Sequence, residues 1–255
     1  MGFLDKFKAE QMGRKAYGLH VAGNRLSDQN KMDEARAKHE QAIALYDKAV
    51  KGGCKTVSYI MAYGVLLLRF ARFDEAKALF LKAEATPGIT KPEKSQLRIN
   101  FAICQWKLGQ LDSAISQLKI ALGEGETGLI YGSLGYILIE KARQTGDFEE
   151  AVAFNNKALE YDDEDAVILD NMGQLNLVLG DKEKAFEYFT KAHEQKPNQV
   201  DTLYYLARLT AEKGDVKKAL GYLETALTGN YSALCTTTRQ QAIDFKAELE
   251  SGLNK

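Results

Sequence analysis

The sequence predicts an all-α fold, an α-α superhelix (solenoid) of about six helical hairpins followed by a C-terminal capping helix. Proline, which blocks helix interiors, occurs only three times in 255 residues. Small and bulky residues recur at helical spacing along most of the chain, and turn residues recur between them. Since this length suits a stack of hairpins that share one core, we expect residues 1–255 to form a single domain.

The recurring pattern opens with a Gly or Ala that is followed by an Ala, twelve residues later in five copies and sixteen residues later in one. Four residues after that Ala stands a larger residue, and three residues further a second Ala stands in all six copies. Positions i, i+4 and i+7 lie on one helix face, so two helices can approach closely while the larger side chain fills the gap. The opening pairs are Gly23/Ala35, Gly64/Ala76, Ala102/Ala114, Gly135/Ala151, Gly173/Ala185 and Ala207/Ala219.

Turn residues separate the two halves of most copies. Gly109, Gly146, Gly180 and Gly214 stand where the first helix of a hairpin would end, and Asp directly follows the last three. Glycine ends a helix in the left-handed conformation, and Asp favours the start of the next helix. Each copy therefore predicts a helix, a short turn and a second helix.

The copy at Ala166–Gln199 carries the clearest resemblance to a known family. It contains Met172-Gly173, Gly180, Ala185 and Phe189, and with Ala192 and Pro197 it resembles the tetratricopeptide repeat, whose unit is 34 residues long. The resemblance implies repeats at about 14–52, 57–90, 95–127, 128–165, 166–199 and 200–233, with a capping helix at about 236–252.

Three departures from the regular repeat are expected to alter the structure locally. The first copy has a long second helix at Lys31–Val50, and the fourth copy has one extra turn at Lys141–Gln144. A loop at Thr86–Pro92 joins the second and third copies, with Pro92 near a helix start.

Residues 1–12 are interpreted as the start of a capping helix that packs on residues 16–25, with a weak membrane-surface anchor as the alternative. Lys6 stands where myristoylation of Gly2 would require Ser or Thr.

The charge distribution and the cysteines limit the kind of partner and the cellular compartment that we expect. Residues 1–127 carry 20 Lys and Arg against 14 Asp and Glu, whereas residues 128–255 carry 14 against 21. An acidic C-terminal half argues against a nucleic-acid partner. Cys54, Cys104 and Cys235 are far apart, so we interpret them as small buried groups in a reducing compartment. Because no apolar run is long enough for stable membrane insertion, the predicted location is cytoplasmic.

The search for catalytic motifs predicts that the chain is not an enzyme. His39-Glu40 and His193-Glu194 open like zinc-protease motifs, but Ile43 and Pro197 replace the required second His. The acidic run at residues 162–165 precedes a predicted helix, so we interpret it as a helix start rather than a metal site. No cofactor and no metal are expected.

The resemblance also implies a place for a partner, because in this family the first helix of each hairpin lines the concave face. The alternative interpretation for some of these side chains, Ile103 and Trp106 among them, is that they pack between neighbouring repeats and do not contact a partner. The family's carboxylate-binding clamp is disfavoured, since only Asn24 matches its required residues. The predicted peptide-binding residues are Asn24, Met61, Val65, Asn100, Ile103, Trp106, Tyr136, Asn171, Gln174, Tyr204, Tyr205 and Arg208.

Two functions follow as hypotheses. The first is a scaffold that binds a protein or peptide partner in the concave groove. The alternative is a self-assembling structural protein, a homodimer for example, that is driven by the opposite charges of the two halves. Ordinary variation of solvated helix faces would explain the same charge difference.

Overall fold

The computed structural model describes residues 3–29 and 31–253. Over these residues the chain forms thirteen α-helices and no strand, which confirms the predicted all-α class. The helices are α1 (Phe3–Asp28), α2 (Met32–Lys51), α3 (Val57–Arg69), α4 (Phe73–Glu84), α5 (Lys91–Lys107), α6 (Leu111–Glu124), α7 (Gly128–Thr145), α8 (Glu149–Tyr161), α9 (Ala166–Val178), α10 (Lys182–Gln195), α11 (Val200–Glu212), α12 (Val216–Thr228) and α13 (Arg239–Leu253).

The chain divides into two compact units, and the division falls inside α6. The first unit comprises residues 1–117 together with 232–234, and the second comprises residues 118–231 and 235–255. The core of the first unit is built from α2, α3 and α4, where Tyr46 and Tyr63 stack with ring centroids 5.5 Å apart. The core of the second unit contains Phe189, Leu206 and Leu223, each fully buried.

The small–large–small pattern forms the contact inside the hairpins. A Cβ added to Gly64 would lie 2.5 Å from Phe80 Cε1, and one added to Gly173 would lie 2.7 Å from Phe189 Cδ1. Only glycine lets the two helices of these hairpins approach this closely. The six alanines of the last column are all buried. They are Ala42, Ala83, Ala121, Ala158, Ala192 and Ala226.

The turns inside the hairpins adopt the predicted left-handed conformation. Gly109, Gly146, Gly180 and Gly214 have φ between 74° and 89°. In the second hairpin the same place is taken by Ala71, with φ 58°, two residues before α4 begins. A Cβ makes this conformation unfavourable, so the turn at Ala71 is strained.

The interpretation of residues 1–12 as a capping helix packed on residues 16–25 is wrong, because α1 runs without a break from Phe3 to Asp28. Ala9 packs instead with Ala49 and Cys54. Gly13 does not end the helix; a Cβ there would lie 2.8 Å from Tyr59 Cδ2, so this glycine permits a close helix contact. Met1 and Gly2 lie outside the described residues.

Other local predictions are confirmed. The second helix of the first hairpin, α2, is 20 residues long, and the extra turn of the fourth copy lengthens α7 to 18 residues. Pro92 stands in the first turn of α5, behind the N-cap Thr90. The capping helix is α13. None of the helices in the described ranges combines the length and the apolar character that crossing a bilayer requires.

Candidate binding site

In the first unit, the predicted contact residue Asn24 belongs to a polar cluster with His39 and Arg69. Its Oδ1 lies 2.8 Å from Arg69 Nη1 and 3.1 Å from His39 Nε2. His20 packs edge-on against His39 in the same cluster. Burial and the nearby Arg69 guanidinium lower the pKa of both histidines, that of His20 to about 4. The Asn24 amide oxygen is therefore already used inside the first unit, by His39 of its own hairpin and by Arg69 of the next one.

The remaining predicted residues of the first unit are partly or fully buried. Met61 is buried, and Val65 and Ile103 pack against the core. Asn100 is buried and accepts a hydrogen bond of 3.2 Å from the Gln96 amide. Trp106 is half-buried, with Lys107 Nζ 3.8 Å from its ring centroid.

In the second unit, two predicted amides are committed to internal hydrogen bonds. Asn171 Nδ2 donates to the Gly132 carbonyl at 2.8 Å, which joins α9 to α7. Gln174 is fully buried, and its Nε2 donates to Asp170 Oδ2 at 2.7 Å. The Asn171 bond links two helices, whereas the Gln174 bond lies within α9.

Asp170 is a buried carboxyl group that the sequence analysis missed. It accepts hydrogen bonds from Gln174 and from Thr202 Oγ1, the latter at 2.5 Å. Burial, and next the nearby Asp201 carboxylate, raise the pKa of Asp170 to about 6. Counting along the concave face that the resemblance implies selects Asn171 and passes over its neighbour Asp170, so no signal in the pattern identified Asp170.

Three aromatic residues of the prediction lie on α7 and α11. Tyr205 stacks on Phe189 with centroids 5.1 Å apart, and its ring meets Tyr204 at 5.7 Å. Burial raises the pKa of Tyr205 to about 12 and also raises that of Tyr136, which is half-buried. These two phenols, Tyr205 and Tyr136, stay neutral at physiological pH.

An open groove of about 600 Å³ lies between α11 and α13, and the predicted residues Tyr204 and Arg208 both line it. Tyr204 and Phe245 form its apolar floor, with ring centroids 6.1 Å apart. Its charged lining is mainly acidic, with three carboxylates and one guanidinium, that of Arg208. The remaining lining residues are Ala211, Glu212, Gln241, Asp244, Glu248 and Leu249.

Comparison with known proteins identifies the repeat. Residues 166–199, which contain α9 and α10, match the family model described as tetratricopeptide repeat. A tetratricopeptide repeat protein from Parabacteroides merdae is 12% identical, with a TM-score of 0.68 over 95% of this chain and 98% of that one. A thermophilic tetratricopeptide-repeat protein from Thermus thermophilus is 21% identical, with a TM-score of 0.62 over 78% and 100% of the two chains. Residues 166–199 are a tetratricopeptide repeat, and the chain has the fold of proteins built from such repeats.

A curated relative of this chain extends far beyond it. BBSome complex member BBS4 from Bos taurus is 31% identical over 121 residues, which is 48% of this chain. The chain spans only about a fifth of that relative, 22% of its length. The tetratricopeptide-repeat fold is typical of protein–protein interaction, and proteins of this family are generally non-catalytic scaffolds.

In repeat terms, α11 is the first helix of the sixth hairpin, and α13 follows the second helix of that hairpin. Asp201, near the start of α11, holds the segment that leads into α13. Its carboxylate accepts bonds from the Thr236 N–H at 3.1 Å, the Thr237 N–H at 2.7 Å and Thr237 Oγ1 at 2.6 Å. One carboxylate therefore fixes the start of the helix that forms the second wall of the groove.

The first unit has the same arrangement at α1. Glu10 accepts bonds from the Lys55 N–H at 2.7 Å and from Thr56 Oγ1 at 2.6 Å, just before α3 begins. In both units, a carboxylate on the first helix of a hairpin secures the entry to the helix that follows the hairpin. Glu10 and Asp201 therefore stabilise the fold by fixing the segments that precede α3 and α13.

The metal and cysteine predictions concern other parts of the chain. Within the described ranges, no group of three or more His, Cys, Asp or Glu residues is arranged to hold a metal ion. In the run at residues 162–165, Asp165 Oδ1 accepts bonds from the Val167 and Ile168 N–H groups, which confirms its interpretation as a helix start. Cys54 and Cys104 are buried as predicted, whereas Cys235 is half-buried.

Proposed function

We propose that this chain is a cytoplasmic, non-catalytic scaffold that binds a peptide or protein partner on the first-helix faces of its hairpins. The observation that carries the proposal is the groove between α11 and α13. It combines an apolar floor with charged edges on a fold that is typical of protein–protein interaction. The name of the partly matching relative, a BBSome complex member, also favours a protein partner.

The groove has the chemistry of a peptide-binding surface. Phe245 is half-buried and packs edge-on against the buried ring of Tyr204. The exposed part of Phe245 offers stiff aromatic area, which gives binding energy at a small cost in side-chain entropy. Leu249 extends the apolar floor along α13. The carboxylates at the edges favour a partner segment that carries basic residues beside its apolar ones.

Of the twelve predicted contact residues, the proposal rests on Tyr204 and Arg208, because both line this groove. Arg208 is exposed, so its guanidinium is available to a carboxylate or a main-chain carbonyl of a partner. The other ten residues stay predictions.

The test is selection of peptides from a displayed random library on the immobilised chain. Enriched peptides should combine aromatic or aliphatic residues with Lys or Arg. Glu248→Lys reverses a charge at the groove and should abolish their binding. Glu187→Lys, a charge reversal at another exposed position, on α10, is the matched control and should leave their binding unchanged.

Two outcomes would contradict the assignment of the groove. One is the absence of any enriched sequence. The other is enriched peptides that bind wild type, Glu248→Lys and an Arg208→Glu variant with equal affinity.

A further inference from the structure

The first two turns of α1 leave large apolar side chains without cover. Leu4 is 70% exposed and Phe7 is 54% exposed. The two residues are three positions apart, so they lie on one face of α1, and Lys8 stands on the same face four positions after Leu4. Lys6 and Lys8 are both exposed. The start of α1 is therefore an uncovered apolar face flanked by two exposed lysines, with Asp5 as the one acidic residue before Lys8.

The groove between α11 and α13 has the complementary chemistry. Its floor is apolar, and Asp244 and Glu248 stand one helical turn apart on the exposed edge of α13. Neither of these two carboxylates is paired with a basic side chain anywhere in the described ranges. Glu212, at the opposite edge, is paired with Lys182 at 2.7 Å. The carboxylates on α13 are thus the ones available to an incoming lysine.

From these two surfaces we infer that the groove between α11 and α13 binds the first turns of α1 from a second copy of the chain. Phe7 and Leu4 of one copy lie on Tyr204, Phe245 and Leu249 of the other. Lys8 approaches Asp244 and Glu248. This occupant has the combination of apolar and basic residues that the proposed binding function requires, and the inference rests on that function.

The geometry of such a contact has a consequence for the size of the assembly. The two surfaces are different parts of the chain, so the contact is head-to-tail. Each assembly of copies still has one unused α1 surface and one unused groove to which a further copy can bind. Unless the rotation between copies closes a ring, the mass increases with concentration without stopping at a dimer. Because lysines meet carboxylates at the rim, the association weakens as salt is added.

The closing experiment measures the mass of the full chain by light scattering over a wide range of concentration, at low and at high salt. We expect a mass that rises with concentration and falls with salt. Phe7→Ser changes an exposed residue and should weaken self-association about tenfold or more. Glu187→Lys, away from both surfaces, should leave the mass curve unchanged.

A charge exchange makes the assignment specific. Lys8→Glu and Glu248→Lys should each weaken the association, whereas an equimolar mixture of the two variants should recover part of it. A labelled synthetic peptide of residues 3–12 should bind Phe7→Ser protein, whose groove is intact, and should fail to bind Glu248→Lys protein.

Two results would overturn the inference, and they are distinguishable from failure of the proposed function. One is a constant monomer mass together with a residue 3–12 peptide that does not bind. The other is a monomer that binds phosphatidylserine vesicles through Phe7, which would assign α1 to a membrane surface. If library peptides still bind the groove in either case, the scaffold function stands and only the occupant is wrong.

Discussion

The first and fifth hairpins fill the same internal gap with different chemistry. In the fifth hairpin, Gly173 faces the buried ring of Phe189, which in turn stacks on Tyr205. In the first hairpin, Gly23 faces the imidazole of His39, and a Cβ at Gly23 would lie 2.4 Å from it. That imidazole is hydrogen-bonded to Asn24 rather than packed in an apolar cluster. The spacing between the helices is thus set by shape, and the polarity of the filling residue varies.

The difference shows what each kind of filling requires. An aromatic ring needs only apolar neighbours, and its burial stabilises the hairpin directly. A buried imidazole needs a hydrogen-bond partner and must stay neutral, which the lowered pKa of His39 reflects. The fourth hairpin is a third case, because Asn155 there donates to the carbonyls of Gly135 and Ala151. A titratable residue such as His39 at this position therefore makes the stability of a hairpin depend on pH. A phenylalanine at the same position does not.

The most disruptive test puts the filling residue of the fourth hairpin into the fifth. Phe189→Asn should lower the free energy of unfolding by about 3–5 kcal/mol, because it removes a buried ring and leaves a cavity. Urea unfolding followed by circular dichroism measures the change. Phe189→Leu keeps the apolar character and most of the volume, so its cost should stay below about 1.5 kcal/mol. Equal costs for the two variants would mean that the polarity and volume of this residue do not matter.

The second test uses pH, and the two hairpins should respond in opposite directions. The folded pKa of His20 is about 4, below its ordinary value of 6.5, so unfolding takes up a proton between these values. The contribution of His20 to the free energy of unfolding is therefore fully present above pH 6.5. It is lost on acidification, and at pH 5 the free energy of unfolding is lower by about 2 kcal/mol. The raised pKa of Asp170, about 6, acts with the opposite sign: its contribution is complete below its ordinary value of 3.8 and is lost as the pH rises through 6.

Amide hydrogen exchange at pH 7 and pH 5, corrected for intrinsic rates, measures both effects in one sample. Opening of α1 and α2 should become easier at the lower pH, while opening of α9 and α11 should become harder. His20→Gln should reduce the first effect to the part that His39 contributes, and Asp170→Asn should remove the second. A uniform response along the chain would contradict the local origin of both.

The smallest test concerns the turns. Ala71→Gly should stabilise the second hairpin by about 1 kcal/mol, because glycine adopts a φ of 58° without strain. The matched control is Gly180→Ala, where φ is 89°, and the same measurement of thermal unfolding should show a loss of similar size. An Ala71→Gly variant that is less stable than wild type would mean that the Ala71 side chain itself supports the turn.

Most of the fold was predictable because it depends on local spacing. The Gly–Ala pairs, the glycine turns and the extra turn of α7 all follow from helical periodicity. The continuity of α1 was not predicted, and the close approach of Gly13 in this helix to Tyr59 from another helix left no mark in the repeat pattern. The strained turn at Ala71 was also invisible, because a non-glycine residue gives no sign of a positive φ.

The candidate site was less predictable, because it depends on contacts between distant segments. Counting from the glycine column selected Tyr204 and Arg208, which both line the groove, since they lie one turn apart on the same face of α11. The same count selected Asn171 and Gln174, whose amides are hydrogen-bonded inside the second unit. The α13 wall of the groove depends on Asp201 reaching residues 35 and 36 positions away. No periodic pattern encodes that pairing.

The carboxylate of Asp201 makes the groove preorganised. Because it holds Thr236 and Thr237, α13 is already in place before any partner arrives, and binding does not have to order that helix. If this anchor were lost, only the fraction of molecules with α13 docked would bind, and the apparent affinity would fall by that fraction. Asp201 would thus control affinity from beneath the binding surface, without touching the ligand.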